Sequence, residues 1–218
     1  RVKLAQLCNV ALENVIECKD LETIYEVPLY LQKQDFDDVI LKTLNLKSDK
    51  EADLKDWKSF LKKYKNPKKS VVIALVGKYV SLQDSYKSIA EAFIHAGADL
   101  ETEVKVRWVY SGDLDATTIG ETLSGIDGIL IAPGFGDRGI EGKIEAAKYA
   151  RENKIPLLGI CLGMQIMTIE FARNVLGYKK ANSMEFDTST PEPVISLMED
   201  QKNVVEKGGT MRLGAWKC

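Results

Sequence analysis

Three short apolar runs separated by helical patterns constrain the fold of this chain more than any other feature of its sequence. The runs lie at residues 71–76, 129–132 and 155–160, and each predicts a strand. The run at 71–76 has the pattern expected of a strand buried on both faces of a sheet. Between them, apolar residues recur at helical spacing, as Ile89, Phe93 and Ile94 do. Because strands that alternate with helices favour a parallel sheet covered by helices, the sequence predicts an α/β fold.

The same periodicity places further elements along the chain. Helices are predicted at residues 51–65, 86–97, 140–151 and 163–176, and an alternating pattern predicts a strand at 104–110. Gly97 and Gly177 are the expected ends of two of these helices. Pro67 and the lysines around it mark residues 66–70 as a linker, and residues 189–218 have the pattern of strands and turns.

Composition excludes several classes of protein. With 218 residues, 45% of them hydrophobic and 28% charged, the chain is predicted to be globular. Its net charge of −2 gives no reason to expect a nucleic-acid or membrane-surface partner, and no apolar run reaches the roughly 18 residues of a membrane helix. Because the chain has one histidine, His95, and four cysteines without a CxxC pair, we expect no metal site, and reduced thiols in the cytoplasm.

A glycine-rich loop, 134–139, follows the second apolar run and matches the pattern GxGxxG. In a dinucleotide-binding fold, the next strand would end in an acidic residue that holds the ribose, but here the strand at 155–160 is followed by Cys161. We therefore favour another use of these glycines, in which the backbone approaches a substrate closely and offers amide N–H groups to an oxyanion.

The segment Gly159-Ile160-Cys161-Leu162-Gly163 lies between an apolar strand and a helix, and it has the pattern of a nucleophile elbow with Cys in place of Ser. The start of the helix favours an anion at the sulfur, and the N–H of Leu162 is directed to where an oxyanion would form. The spacing alone also fits a cysteine that is only a small buried hydrophobic residue. His95 is a poor candidate for the base, since it lies off the apolar stripe of its helix.

Together, these segments resemble a known family. Residues 156–165 resemble the nucleophile elbow of triad-type (class I) glutamine amidotransferases. Within that class, the order and spacing of five further segments resemble CTP synthases, namely residues 76–80, 84–88, 132–139, 181–186 and 208–214. The resemblance implies a mostly parallel, helix-covered sheet of the flavodoxin-like type.

The resemblance also implies roles for individual residues. Cys161 matches the nucleophile that forms a glutamyl thioester, and the other matches in the glutaminase site supply oxyanion or glutamine contacts, namely Gly134, Phe135, Leu162, Gly163, Met164, Gln165 and Glu185. Gln165 and Glu185 match residues that hold the α-amino and α-carboxyl ends of glutamine. Lys3 matches a pyrimidine-nucleotide contact, and Lys19, Asp20 and Leu21 match a segment near an ATP site.

By the same resemblance, residues 1–65 are the end of an amidoligase domain with its connection, 66–70 are the linker, and 71–218 are a glutaminase domain cut before its catalytic His and Glu. The glutaminase domain needs no cofactor, whereas ATP and Mg²⁺ belong to the amidoligase site that converts UTP to CTP. The resemblance further implies a homotetramer and activation by GTP. We expect this chain to have negligible glutaminase turnover but to react at Cys161 with an electrophilic glutamine analogue.

Three alternatives stay open from the sequence. The chain could be another triad amidotransferase or a γ-glutamyl hydrolase, although the segments at 76–80 and 84–88 argue against this. It could be a binding module that keeps the elbow without catalysis. A dinucleotide-binding oxidoreductase is disfavoured by Cys161, which stands where the acidic residue should be.

Overall fold

The computed structural model describes residues 1–196, and these residues form two compact units. The first unit contains Arg1–Ser70 and Ala92–Glu103, and the second contains Val71–Glu91 and the described residues from 104 to 196. The motif at 208–214 and much of the strand-and-turn prediction for 189–218 lie outside the described residues. No helix in residues 1–196 is long and apolar enough to cross a membrane.

The first unit is helical and has an aromatic centre. Its helices are α1 (Val2–Cys8), α2 (Val27–Gln32), α3 (Phe36–Thr43) and α4 (Lys55–Lys65). The predicted helix at 51–65 is confirmed from Lys55 onward. The ring of Tyr25, only 7% exposed, packs against those of Phe60 and Tyr64, with centroids 5.0 and 5.7 Å away.

His95 is exposed, as expected, but it has a partner. Its Nε2 lies 2.8 Å from the hydroxyl of Tyr25, and its ring meets Phe60 edge-on. This histidine therefore belongs to the aromatic centre of the first unit. It lies on α5 (Lys87–Asp99), a helix that contributes residues to both units.

The second unit contains the predicted sheet. Its strands are β1 (Lys69–Gly77), β2 (Thr102–Tyr110), β3 (Gly128–Ile131) and β4 (Leu157–Gly159), in the order β2-β1-β3-β4. The pairs β1–β3 and β3–β4 are parallel, with Leu130 aligned to Leu75 on one side and to Leu158 on the other. The α/β fold with a parallel sheet is thereby confirmed. Strand β1 begins at Lys69, within the segment predicted as a linker.

Helices and a small second sheet complete this unit. They are α6 (Ile119–Thr122), α7 (Ile140–Glu152), α8 (Leu162–Asn174) and the parallel pair β5 (Ala181–Ser183) and β6 (Glu192–Ile195). Strand β3 is buried along its whole length and packs with the apolar faces of α7 and α8, including Ile144 and Ile166. Each such side chain stabilises the fold by roughly 1.5–3 kcal/mol when it is fully buried. An ion pair between Arg151 and the buried Glu170, 2.8 Å long, joins α7 to α8.

One expectation about helix ends was wrong. Gly97 does not end its helix: it is buried inside α5, where the Leu100 N–H still donates to the Ala96 carbonyl, and the left-handed residue beyond the helix is Glu101, with φ 49°. The strand predicted at 155–160 is present as β4, which is the last strand of the sheet in residues 1–196, with Leu158 57% exposed.

Candidate active site

The turn between β4 and α8 carries the predicted nucleophile. Cys161 has φ 54° and ψ −106° and is exposed, and the chain turns there from Gly159 at the strand end to Leu162 at the helix start. A residue other than glycine with positive φ is uncommon and costs of order 1–3 kcal/mol, so the surrounding structure holds the backbone there. The prediction of a strained elbow with a projecting cysteine is confirmed, and the alternative of a buried hydrophobic cysteine is wrong.

The two glycines of the elbow are required by close backbone contacts. A Cβ at Gly159 would lie 2.4 Å from the carbonyl carbon of Gly163, and a Cβ at Gly163 would lie 2.3 Å from the oxygen of Ile131 on β3. Contacts this short are not available to real carbon atoms. The strand, the turn and the helix therefore fit together only because both positions lack a side chain.

The first N–H groups of α8 have different roles. Gly163 donates to Ile160 at 2.9 Å and Met164 donates to Cys161 at 3.0 Å, so both N–H groups close the turn. The Leu162 N–H, as the first of the helix, has no acceptor within the helix, and the positive end of the helix dipole lies beside the sulfur. Within residues 1–196 the Leu162 N–H has no backbone acceptor, so it is available to an oxyanion, and that role stays a prediction.

The glycine-rich loop lies beside the elbow. It follows β3, and a Cβ at Gly134 would lie 3.7 Å from a methyl carbon of Leu162. Gly136 and Gly139 have φ of 72° and 73°, which favours glycine at both positions. The structure therefore brings Gly134, Phe135, Leu162 and Cys161 into one region, as the sequence predicts.

Two buried lysines under this loop were missed by the sequence interpretation. Lys78, at the end of β1 and 5% exposed, donates to the carbonyl oxygens of Phe135 and Gly136, the second at 2.7 Å. Lys143, on α7 and fully buried, donates to the carbonyl of Ala132 at 3.0 Å. A signal for Lys143 was present, because it occupies the apolar stripe of its helix, between Ile140 and Ile144.

The ionisation of both lysines is shifted by their surroundings. Burial, with the charge of Lys78 as a second cause, lowers the pKa of Lys143 from 10.5 to about 8, while Cys161 acts in the opposite direction. Burial also lowers the pKa of Lys78, with a further contribution from Arg138, whereas Asp137 and Glu185 oppose that change. The cysteine and the two ammonium groups are thus close enough to interact electrostatically.

A cleft of about 440 Å³ lies next to the elbow in the second unit. Its lining includes Phe135, Gln165, Ser183, Met184, Glu185 and Ile195. Phe135 is 71% exposed, and Glu185 accepts a hydrogen bond from the Gly136 N–H at 3.1 Å. The Oε1 atom of Gln165 is buried and has no hydrogen-bond partner within residues 1–196, so it is free to accept one from a ligand.

The remaining predicted residues lie in the other unit. Lys3, Lys19 and Asp20 are exposed and Leu21 is half-buried, and the Nζ of Lys19 lies 5.1 Å from the ring centre of Tyr30. The structure does not place these four in the unit that holds Cys161, and their nucleotide contacts stay a prediction. In the described part of the chain, no group of His, Cys, Asp and Glu side chains is arranged to hold a metal ion.

Comparisons with known proteins agree with this site. Residues 81–218 match the family model of class-I glutamine amidotransferases, and residues 1–46 match that of the CTP synthase N-terminus. The whole chain is 60% identical to a CTP synthase of Flavobacterium psychrophilum and 56% identical to one of Caldanaerobacter subterraneus subsp. tengcongensis. These alignments cover 41% and 40% of the two relatives, so the chain spans about two fifths of their length.

A solved structure gives the same result. The glutaminase domain of Trypanosoma brucei CTPS with bound acivicin is 40% identical, with a TM-score of 0.58, and the match covers 61% of this chain and 52% of that one. The similarity thus includes both the sequence and the fold. Because the amidotransferase model covers well over half of the residues, the chain belongs to the class-I glutamine amidotransferase family.

Proposed function

We propose that residues 71–218 are the glutaminase part of a CTP synthase and that Cys161 is its nucleophile. The observation that carries the proposal is the backbone of Cys161, held at φ 54° between β4 and α8 with the sulfur exposed. Strain of this kind persists where a function requires the side chain to project, as in a nucleophile elbow. The similarity to CTP synthases over the whole chain supports the same assignment.

The proposed chemistry is transfer of a γ-glutamyl group to sulfur. The thiolate of Cys161 attacks the side-chain amide carbon of glutamine, a C–S bond forms, and the carbonyl π electrons move to oxygen. The N–H groups of Leu162 and of the loop at Gly134 stabilise this oxyanion. The nitrogen takes a proton from water, the oxyanion collapses, and the C–N bond breaks so that ammonia leaves. Water hydrolyses the thioester to glutamate.

The cleft beside Cys161 supplies a place for the amino-acid end of glutamine. Gln165 presents a buried oxygen that has no partner within residues 1–196, and it can accept from the substrate ammonium. Glu185 lines the same cleft and carries a second acceptor for that group. These contacts follow the family resemblance and are part of the proposal.

The wider activity also belongs to the proposal. Ammonia from glutamine would convert UTP to CTP with ATP and Mg²⁺ at an amidoligase site, for which residues 1–65 would supply the final segment and 66–70 the connection. The catalytic His and Glu of the family are not assigned within residues 1–196, and His95 belongs to the first unit. A cytoplasmic homotetramer activated by GTP completes the family picture.

The test is covalent labelling by acivicin, a chlorodihydroisoxazole amino acid that resembles glutamine. The Cys161 thiolate would form a C–S bond and displace chloride, so the protein would gain one adduct that peptide mapping by mass spectrometry places on Cys161. Glutamine should slow the labelling because it competes for the cleft. Cys161→Ala should abolish it.

Cys18 provides the matched control. It is exposed like Cys161 but has no elbow, so Cys18→Ala should label at the wild-type rate. Equal labelling of Cys8, Cys18 and Cys161, or a rate that glutamine does not change, would contradict the proposal.

A further inference from the structure

The loop that follows β3 is held from below by two buried ammonium groups. Lys143 donates to the carbonyl of Ala132 at one end of the segment 132–136, and Lys78 donates to the carbonyls of Phe135 and Gly136 at the other end. Neither lysine exposes more than 5% of its surface. An apolar side chain would fill either position without the cost of a buried charge, so packing alone does not explain the two lysines.

The hydrogen bonds hold the peptides on either side of Gly134, namely the peptide that follows Ala132 and the peptide that follows Phe135. In a trans peptide the C=O and N–H groups point in opposite directions. In the peptide between Phe135 and Gly136, the carbonyl accepts a hydrogen bond from Lys78, and the N–H donates one to Glu185 at 3.1 Å. This peptide plane is therefore held from both sides. Within residues 1–196 the N–H groups of Gly134 and Phe135, which lie between the held carbonyls, donate to no acceptor.

The loop and Lys78 also lie directly against the elbow. A Cβ at Gly134 would be 3.7 Å from Leu162 and 3.8 Å from the Cε of Lys78. The position of Lys78 is itself fixed, because its backbone N–H and that of Tyr79 both donate to the buried hydroxyl of Tyr86, at 3.1 and 3.3 Å. Tyr86 thus holds Lys78, and Lys78 in turn contacts the loop at Gly134.

We propose that Lys78 and Lys143 are positioning residues, which hold residues 132–136 in the conformation that presents the Gly134 and Phe135 N–H groups to the oxyanion formed at Cys161. This inference rests on the proposed function, since it assigns the oxyanion to attack by Cys161. Both ammonium groups donate to carbonyls of this loop, and Lys143 also interacts electrostatically with Cys161. Removing one of them lets the peptide planes turn and weakens the stabilisation of the oxyanion without removing the nucleophile.

Two alkylating reagents separate positioning from a structural effect. Acivicin reacts by addition of sulfur to a C=N bond, which places negative charge on the ring nitrogen before chloride leaves. Iodoacetamide reacts by direct displacement of iodide and forms no such anion. Because removal of one oxyanion donor costs about 10²–10³-fold in rate, a displaced donor in Lys78→Met should slow acivicin labelling by about 10- to 100-fold. The rate with iodoacetamide at Cys161 should change less than about twofold.

Two further variants keep the test decisive. Lys78→Gln retains a donor for one carbonyl and should recover part of the acivicin rate. Lys143→Met should slow acivicin labelling more than iodoacetamide labelling, and it should also slow the second reaction somewhat because the Lys143 charge interacts with Cys161. Lys87→Met, at an exposed lysine paired with Glu91, should react like the wild type. When the acivicin concentration is varied, the lysine variants should show a lower limiting rate of labelling, and the concentration that gives half of this rate should stay unchanged.

The outcomes also separate this inference from the proposed function. If wild-type Cys161 is not labelled by acivicin, the proposed function fails. If the wild type is labelled and both lysine variants match it, or lose both reactions equally, the positioning role is overturned. If Lys78→Met does not fold, as judged by a loss of helical circular dichroism, Lys78→Gln takes its place and the same criteria apply.

Discussion

At the scale of single residues, the site depends on a cysteine in a conformation that suits glycine better. Cys161 has φ 54° and its side chain is exposed, so packing of the side chain does little to offset the strain of this backbone conformation. The proposed role as nucleophile accounts for a cysteine at this position, and its replacement by glycine should relieve strain. The strain is local to a turn whose two flanking glycines are already required by backbone contacts.

The corresponding prediction is that Cys161→Gly stabilises the chain by about 1 kcal/mol while acivicin labelling is lost. Urea unfolding followed by circular dichroism would measure the change in the free energy of unfolding. Cys18→Gly is the control, because Cys18 is exposed and does not have a positive φ, so glycine should bring no gain there. A destabilised Cys161→Gly, relative to Cys18→Gly, would show that the elbow is not strained.

Sequence reasoning reached Cys161 but not the lysines that support it, and the difference has a physical origin. A nucleophile elbow is a local pattern, since glycines two residues either side of the cysteine are needed within one turn. Lys78 and Lys143 act across the fold, on carbonyls 57 and 11 residues away, and such pairs are created by tertiary packing. Only the place of Lys143 in an apolar stripe was visible beforehand.

At the scale of elements, the candidate site is built on two strands and one helix of the second unit, β3, β4 and α8. The strands are parallel and in register, and α8 starts against β3 at Gly163. The apolar runs predicted both strands, although only β3 is buried along its whole length. The end of α5 was not predictable in the same way, because its left-handed residue is Glu101 rather than a glycine.

Gly163→Ala tests the fit of these elements. Its Cβ would lie 2.3 Å from the Ile131 carbonyl oxygen, which is backbone in a buried strand and cannot move aside cheaply. We expect a loss of about 3 kcal/mol or more in the free energy of unfolding. Gly120→Ala, on α6 with open space around it, should be neutral or stabilising by up to about 1 kcal/mol. Similar effects at both positions would contradict the close contact at the elbow.

At the scale of the whole molecule, stability and the proposed chemistry make opposite demands on the same charge. Lys143 is fully buried and lies within electrostatic reach of Lys78, which disfavours its charge, and of Cys161, which favours it. At neutral pH the lysine is charged in both the folded and unfolded states, so the folded protein bears the whole cost of burying it. A chain selected for stability alone would have an uncharged residue at this position.

This cost has a defined pH window. The pKa of Lys143 falls from 10.5 to about 8 on folding, so between these values the folded chain has lost a proton that the unfolded chain still binds. Stability therefore rises with pH in this window, by roughly 3 kcal/mol from this group alone. The two proteins compared below both carry Cys161→Ala, so that Cys161 does not act on the pKa of Lys143 in either of them.

The last prediction concerns the difference between two stability profiles. From pH 7.5 to 10.5, the free energy of unfolding of the Cys161→Ala protein should rise by roughly 3 kcal/mol relative to that of Cys161→Ala/Lys143→Met, since only the first contains the buried amine. Urea unfolding at pH 7.5, 9.0 and 10.5 measures both profiles, and their difference cancels groups that they share. Lys148→Met, at a half-buried lysine on the same helix, should leave the slope unchanged. Parallel profiles would mean that Lys143 has the same pKa in the folded and unfolded chains. Burial of its charge would then cost the folded protein no stability.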